Sequence, residues 1–187
     1  GVRLTASLGT AFKAPTFNQL YFPFDFGNPD LDPERSRSVE VGVAGTHGGV
    51  RWSVNAYETR IEDLIDFDFS QIPNSININT ARIRGLEGVA RTHLWGWQVA
   101  GNLTAQDPRN RGSDAQRGKL LPRRAQLMAH LEADRRLGDW SAGFSVHAEG
   151  RRYDDIDNTR RLGAFALLDL RAAWALTDAV SLEGKIA

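Results

Sequence analysis

Val50–Phe67 reads VRWSVNAYETRIEDLIDF. Trp52, Val54 and Ala56 hold one phase of a two-residue period, with Arg51, Ser53 and Asn55 between them. From Glu58 onward the phase continues but its chemistry changes, because Glu58, Arg60 and Glu62 now occupy the apolar positions. Successive side chains of a strand point to opposite faces. A strand with this pattern has one face that starts in an oily medium and emerges into water partway along. The stretch also exceeds the usual 5–6 residues of soluble strands. A tilted strand of about 9–11 residues crosses the hydrocarbon of a bilayer, so the surplus would stand outside it. Lipid would reject Glu58, Arg60 and Glu62, and water beyond it would not.

The same period runs outward in both directions. Val2, Leu4, Ala6, Leu8 and Phe12 share one phase, as do Val39, Val41 and Val43, and Trp97, Val99 and Leu103. So do Ala125, Leu127, Ala129, Leu131 and Ala133, then Trp140, Ala142, Phe144, Val146 and Ala148. Leu168, Leu170, Ala172, Trp174 and Leu176 follow, and last Val180, Leu182 and Ile186. Alternation of this kind marks strands with one apolar and one polar face. Ser75 to Leu94 is a ninth strand with weaker alternation, in which Leu86 and Ala90 face away from Glu87 and Arg91. Arg123 to Arg136 is rich in good helix formers. Its apolar residues sit at spacing two rather than three and four, which predicts a strand.

The connections alternate in length. Short ones fall at His47–Gly49, Leu94–Gly96, Leu137–Asp139 and Thr177–Ala179, and long ones at Lys13–Arg35, Asp66–Asn74, Asp107–Lys119 and Asp154–Arg161. Short turns at one end and long loops at the other is the layout of outer-membrane barrels. Trp52, Trp97, Trp140 and Trp174 lie near short turns and in the apolar phase. An indole has an apolar body and one N–H donor, so such tryptophans are expected to form a girdle at the membrane–water boundary. The competing architecture is a soluble two-sheet sandwich, with the same tryptophans at its core edge.

The chemistry-bearing residues point away from catalysis. Basic and acidic residues balance at 23 each, against the basic surplus of a nucleic-acid protein. There is no Cys, which removes disulfides and thiolate metal sites. Asp154, Asp155 and Asp157 lack the glycine turn and closing glutamate of a calcium loop. Asp63, Asp66 and Asp68 interleave with apolar residues as a strand end does. His47, His93, His130 and His147 show no zinc spacing. His130 and His147 share the polar phase and could meet across strands, or hydrogen-bond Glu132 and Glu149. Ser145 and His147 invite a hydrolase reading, but a barrel lipase would set its catalytic groups on the lipid face. No enzymatic activity, metal site or cofactor is expected. Arg3, Arg51, Glu87, Arg91, Glu132, Glu149, Arg151, Asp169, Arg171, Glu183 and Lys185 are expected to line a wet interior of mixed charge.

The expected architecture is all-β: an antiparallel transmembrane β-barrel segment of about nine long strands. Nine antiparallel strands leave two naked edges, which lipid does not tolerate. The chain therefore reads as part of a larger barrel, cut at both ends.

The first long loop carries FKAPTFNQLY (Phe12–Tyr21) and GNPDLDPE (Gly27–Glu34). With Asp63–Asp66, Ala81–Glu87, Leu120–Ala125, Gly150–Asp154 and Gly184–Ala187, these resemble the barrel of TonB-dependent outer-membrane receptors, and most nearly the cobalamin (vitamin B12) receptors among them. The resemblance runs in order along nearly the whole chain. It implies active uptake of a scarce large nutrient across the outer membrane of a Gram-negative bacterium, with siderophore or haem as the alternative cargo. It further implies a barrel of about 22 strands around a plug, with residues 1–187 as its C-terminal part, roughly strands 13–21, without the plug, the earlier strands and the last strand. The implied partners are cobalamin or another such substrate, TonB through the missing plug, and outer-membrane lipid, with no nucleic acid. One ligand contact carries over: Arg123 in Leu120-Leu121-Pro122-Arg123-Arg124-Ala125, where Pro122 is an insertion relative to the family's pattern. A tyrosine contact expected near Asp157 has no tyrosine here, and the family's calcium-binding aspartates lie upstream. Phe17, Tyr21, Phe22, Phe24 and Phe26 could cover an apolar ligand face or pack the loop.

Overall fold

Backbone N–H and C=O groups in lipid must be satisfied within the protein, and neighbouring strands do this here in strict chain order. The computed structural model describes residues 1–69, 71–113 and 115–186. Its elements are β1 (Val2–Lys13), α1 (Phe17–Tyr21), β2 (Glu34–His47), β3 (Val50–Phe67), β4 (Ser75–Leu94), β5 (Trp97–Asn110), β6 (Leu127–Leu137), β7 (Trp140–Glu149), β8 (Arg152–Tyr153), β9 (Arg161–Leu162), β10 (Phe165–Thr177) and β11 (Val180–Ile186). The nine long strands form one antiparallel sheet in the order β1-β2-β3-β4-β5-β6-β7-β10-β11, and β8 pairs only with β9. The sheet is open, with β1 and β11 at its edges.

Register joins the apolar phases into one face. Leu8, Val39 and Glu58 are successive cross-strand partners, as are Val41, Ala56, Leu86, Ala105 and Leu127. Gly101, Leu131, Val146 and Leu168 form a row nearer the short turns. This face is not covered by a second layer: Leu8 is 84% exposed, and Leu131, Leu168 and Leu182 are exposed as well. A soluble sandwich buries its oily rows, and here they point outward. The tryptophans share this face. Trp140 and Trp174 are cross-strand partners and stack, with ring centroids 4.9 Å apart, and Trp97 lies 6.3 Å from Phe144.

The short turns are all two residues long. Gly48 and Gly49 both have positive φ, the geometry that matches the twist of the flanking strands. Trp95 takes the same conformation before Gly96, and its ring is left exposed beyond the strand ends.

The buried apolar core lies at the opposite end. Leu64 of β3, Ile78 and Ala81 of β4, Leu121 of the β5–β6 loop and Ile156 of the β7–β10 segment pack together, with Ile61, Ile76 and Ile83 against them. This core ties the loops to the strand ends.

On the inner face, polar side chains lean across glycines. Asp134 of β6 and Arg171 of β10 meet over Gly143 of β7, with Arg171 Nε donating to Asp134 Oδ1 at 2.7 Å and a second bond from Arg171 Nη2 to Oδ2. A Cβ at Gly143 would lie 2.8 Å from Arg171 Nε and 2.9 Å from the Ala133 carbonyl oxygen. Tyr57 likewise passes over Gly85 to donate to Gln106 Oε1 at 3.3 Å, linking β3 to β5. Forked pairs between a guanidinium and a carboxylate are strong, but water screens partly exposed ones. Asp134→Ala and Arg171→Ala are each expected to cost about 1 kcal/mol. A double-mutant cycle on unfolding should show that most of this is shared.

Three sequence expectations shift. β6 begins at Leu127, so Ala125 belongs to the loop, where it is buried. β5 runs further outward than its polar residues suggest, to Asn110, while β7 stops at Glu149, so the connections are 111–126 and 150–164 rather than 107–119 and 154–161. Arg151 lies outside the strands, in an exposed loop position just before β8. The small elements α1, β8 and β9 carry too few residues to show a period. Ala187 of the Gly184–Ala187 stretch lies outside the described residues.

Candidate ligand-binding mouth and lumen wall

The first long loop is built to stay in place. Thr16 caps α1: its hydroxyl accepts from Gln19 N at 3.3 Å, while Gln19 Oε1 accepts from Thr16 N at 2.9 Å. In the Gly27–Glu34 motif, Asn28 Oδ1 accepts from Asp30 N at 3.0 Å and Asn28 Nδ2 donates to the Ser75 carbonyl at 3.0 Å. Asp32 N donates to Asn77 Oδ1 at 2.9 Å, Leu31 is buried, and Glu34 pairs with Lys13 at 2.7 Å. A Cβ at Gly27 would come within 3.0 Å of three backbone atoms of Leu20 and Phe22. The motif thus fastens the loop to the start of β4.

That fastening holds a strained turn. Phe24 and Asp25 have φ of 63° and 66°, uncommon for non-glycine residues and unfavourable for a bulky one. Asn74 N donates to the Asp25 carbonyl at 2.9 Å, and Ser75 Oγ donates to the Phe26 carbonyl at 2.7 Å. Phe24 is left 84% exposed at the loop tip.

Next to it runs a chain of rings. Phe22 and Phe26 meet edge-on at 5.7 Å, Phe26 meets Phe69 at 6.0 Å, and Phe69 stacks with Phe67 at 6.4 Å. The chain ends at Arg123, whose guanidinium carbon lies 5.5 Å from the Phe69 ring centre. Phe17 and Tyr21 pair separately on α1. Of the loop aromatics, Phe22 and Phe26 pack together, and Phe24 projects from the loop.

Arg123 has φ of 57° and its N–H donates to the Tyr153 carbonyl at 2.6 Å. Its Nε donates to Asp154 Oδ1 at 2.7 Å. The structure thus places the one sequence-derived ligand contact at the loop end of the sheet, beside an aromatic wall and already paired with a carboxylate. An incoming anion or carbonyl would share Arg123 with Asp154.

The carboxylates around it are engaged within the protein. Asp157 lies 3.6 Å from Lys119 Nζ and accepts from Gln116 at 3.1 Å. Asn158 bridges both backbone groups of Leu120. Burial raises the Asp66 carboxyl above its ordinary value, against the Phe67 N–H and the guanidiniums of Arg124 and Arg123. Asp155 goes the other way. Desolvation would raise it, but it accepts from Thr159 N, Thr159 Oγ1 and Arg160 N, and these hold it below the ordinary carboxylate value. A depressed acid stabilises the fold above its unfolded pKa and loses that stabilisation as the pH falls through the folded one. Protection of the Thr159 and Arg160 amides from exchange, taken relative to their intrinsic rates, should therefore be high at neutral pH and fall as the pH is lowered through and below the ordinary carboxylate range. Asp155→Asn should remove most of that pH dependence.

The inner face carries the mixed charge expected of it. Arg3, Arg51, Glu87, Arg91, Glu132, Asp169, Arg171, Glu183 and Lys185 share the phase opposite the oily rows. Lys185 lies 3.5 Å from Asp169, which also accepts from Ser145 Oγ at 3.3 Å. His130 and His147 face each other with ring centres 6.4 Å apart; His147 lies 3.3 Å from Glu149, and His130 lies 3.9 Å from Glu132. Asp134 shares this phase, as its place in the alternation between Ala133 and Arg135 gives it.

Comparison with known proteins agrees with this architecture. The family model described as "TonB dependent receptor-like, beta-barrel" matches residues 1–186. The chain is 35% identical over 195 residues to "Vitamin B12 transporter BtuB" of Photobacterium profundum, covering 100% of this chain and 31% of the relative. It thus spans about a third of that protein's length. Among solved structures, the copper transporter OprC superposes with a TM-score of 0.76 at 23% identity, covering 98% of this chain and 30% of OprC. The ferric citrate transporter FecA, in its unliganded form, gives 0.76 at 18% identity, covering 95% and 29%. The ferric yersiniabactin uptake receptor FyuA from Yersinia pestis gives 0.74 at 20% identity, covering 97% and 29%. These structural likenesses concern the fold.

Proposed function

This chain belongs to the TonB-dependent receptor β-barrel family, and on that premise we propose that it is barrel wall and mouth from the C-terminal part of an outer-membrane transporter for vitamin B12. The observation that carries the cobalamin reading is the 35% identity, along the whole chain, to a relative named as a vitamin B12 transporter. The mouth suits a large ligand with apolar faces and a polar rim. The ring chain Phe22–Phe26–Phe69 offers apolar surface, and Arg123 offers a donor at its end. The mixed charges of the inner wall suit a folded plug and water, and the plug would carry the contact with TonB. The role is capture and passage, with no covalent step.

Binding by the complete receptor tests this. Cyanocobalamin should bind saturably to purified receptor, and ferric citrate or a ferric catecholate should not compete. Saturable binding of the iron chelates, with none of cobalamin, would reassign the cargo to a siderophore. Arg123→Ala should weaken cobalamin binding about tenfold, the loss of one good hydrogen bond to a charged group. Asp154→Ala, which frees the guanidinium, should not weaken it. Equal losses in both variants would make Arg123 a loop fastener rather than a ligand contact.

A further inference from the structure

Arg37, Arg60, Arg82 and Arg109 stand side by side on four successive strands. Arg37 is the cross-strand partner of Arg60, Arg60 of Arg82, and Arg82 of Arg109. Directly opposed residues on one face have Cβ atoms about 5 Å apart, and like charges so placed are destabilising. The row lies on the outward face, in the phase of Val41, Ala56, Leu86 and Ala105. Between the two lies the row Val39, Glu58, Arg84 and Asp107.

Local carboxylates answer only part of this charge. Glu58 accepts from Arg60 Nε at 2.8 Å, and Asp107 takes Arg109 Nε at 2.6 Å and Arg84 Nη2 at 3.4 Å. Across these two rows five arginines stand with two acids, and the next row out adds one of each, Arg35 and Glu62. Among the described residues, Arg82 Nε is buried without a hydrogen-bond partner, and so is Nε of Arg111, just past the end of β5. By contrast, the inner-face Arg171 is met by Asp134. A fold that sets arginines in mutual repulsion on its outer surface has a use for an anion there.

The height of the row names the anion. Each two-residue step along a tilted strand rises about 5 Å, so the backbone of the row stands about 10 Å beyond the last continuous apolar row, and the long arginine side chains can snorkel back to bring their guanidiniums down to headgroup level. The polar headgroup region extends roughly 5–8 Å beyond the hydrocarbon on each side. We propose that Arg37, Arg60, Arg82 and Arg109 bind the phosphates of an outer-leaflet lipid whose acyl chains lie along Val41, Ala56, Leu86 and Ala105. Two or three guanidiniums in line match the several oxygens of phosphate, and an amphiphile satisfies the oily rows and the cationic row together. The inference needs the outward face to meet lipid and does not depend on which nutrient is carried.

The test uses the complete receptor in detergent, with retained lipid counted by native mass spectrometry. The probes are lipid A with both phosphates, the same glycolipid dephosphorylated, and inorganic phosphate. The phosphorylated glycolipid should be retained and the dephosphorylated form should not. Arg60→Gln with Arg82→Gln should weaken retention about thirtyfold, on about one order of magnitude or less per basic residue near an anionic surface. The two lysine replacements should restore part of it, and Arg135→Gln near the short turns should change nothing. Cobalamin binding by the glutamine pair should be unaltered, which separates this result from the cargo reading. Equal retention of both glycolipids by the unaltered receptor would overturn the proposal. So would displacement of the lipid by inorganic phosphate, or retention by the folded glutamine pair at the original level.

Discussion

Leu131→Arg is expected to destabilise the complete barrel by about 2–4 kcal/mol, the cost measured for a cation facing lipid near the bilayer midplane. On β6 the outward phase runs Leu127, Ala129, Leu131, Ala133, so Leu131 lies near the middle of the oily band. Its row neighbours are Gly101 and Val146, which offer no counter-charge. The same substitution one residue away, at Glu132, should cost far less, because that side chain faces the wet interior beside Ser145. Unfolding in vesicles by denaturant, or loss of the heat-modifiable fast band on gels, reads the difference. Equal penalties at the two positions would mean the faces are assigned wrongly.

Leu121→Ala should loosen the mouth by about 2–4 kcal/mol, in the range of buried leucine truncations. Leu121 is fully buried, and it joins the β5–β6 loop to Ile78 and Ala81 of β4 and to Ile156 of the β7–β10 segment. Its N–H also donates to the Pro108 carbonyl at 3.0 Å, a bond the substitution leaves intact. The loss should therefore appear as faster amide exchange and protease cleavage in both loops at once, with the spanning strands unchanged. Ile156→Ala should give the same joint pattern from the other loop. Loosening confined to 111–126 would show that the loops do not share a core.

How much of this was readable beforehand follows from side-chain period. The outward rows, the tryptophans beside the turns and the change at Glu58 were legible because a strand repeats its environment every two residues, and each repeat reinforces the last. Arg123–Arg136 shows this best: its helix-forming composition gave way to spacing, and β6 is a strand. The mouth was less legible because its contacts are not periodic. Ile156 stands alone between aspartates and Leu121 has only Leu120 and Pro122 beside it, and such short apolar patches in polar loops show no period that would signal burial. Arg123 came from motif likeness, and nothing local in the sequence announces its pairing with Asp154 or its place over Phe69. The arginine row was invisible for another reason. Arg37, Arg60, Arg82 and Arg109 are more than twenty residues apart from one to the next, and only cross-strand register makes them neighbours.

The unbroken chain-order sequence of strands also bears on how such a wall is made. Each long strand pairs with the next one in the chain, so hairpins can be added in series and little entropy is spent closing large loops. A barrel built this way leaves its distant encounter to the final seam, and closure is the step expected to be slow.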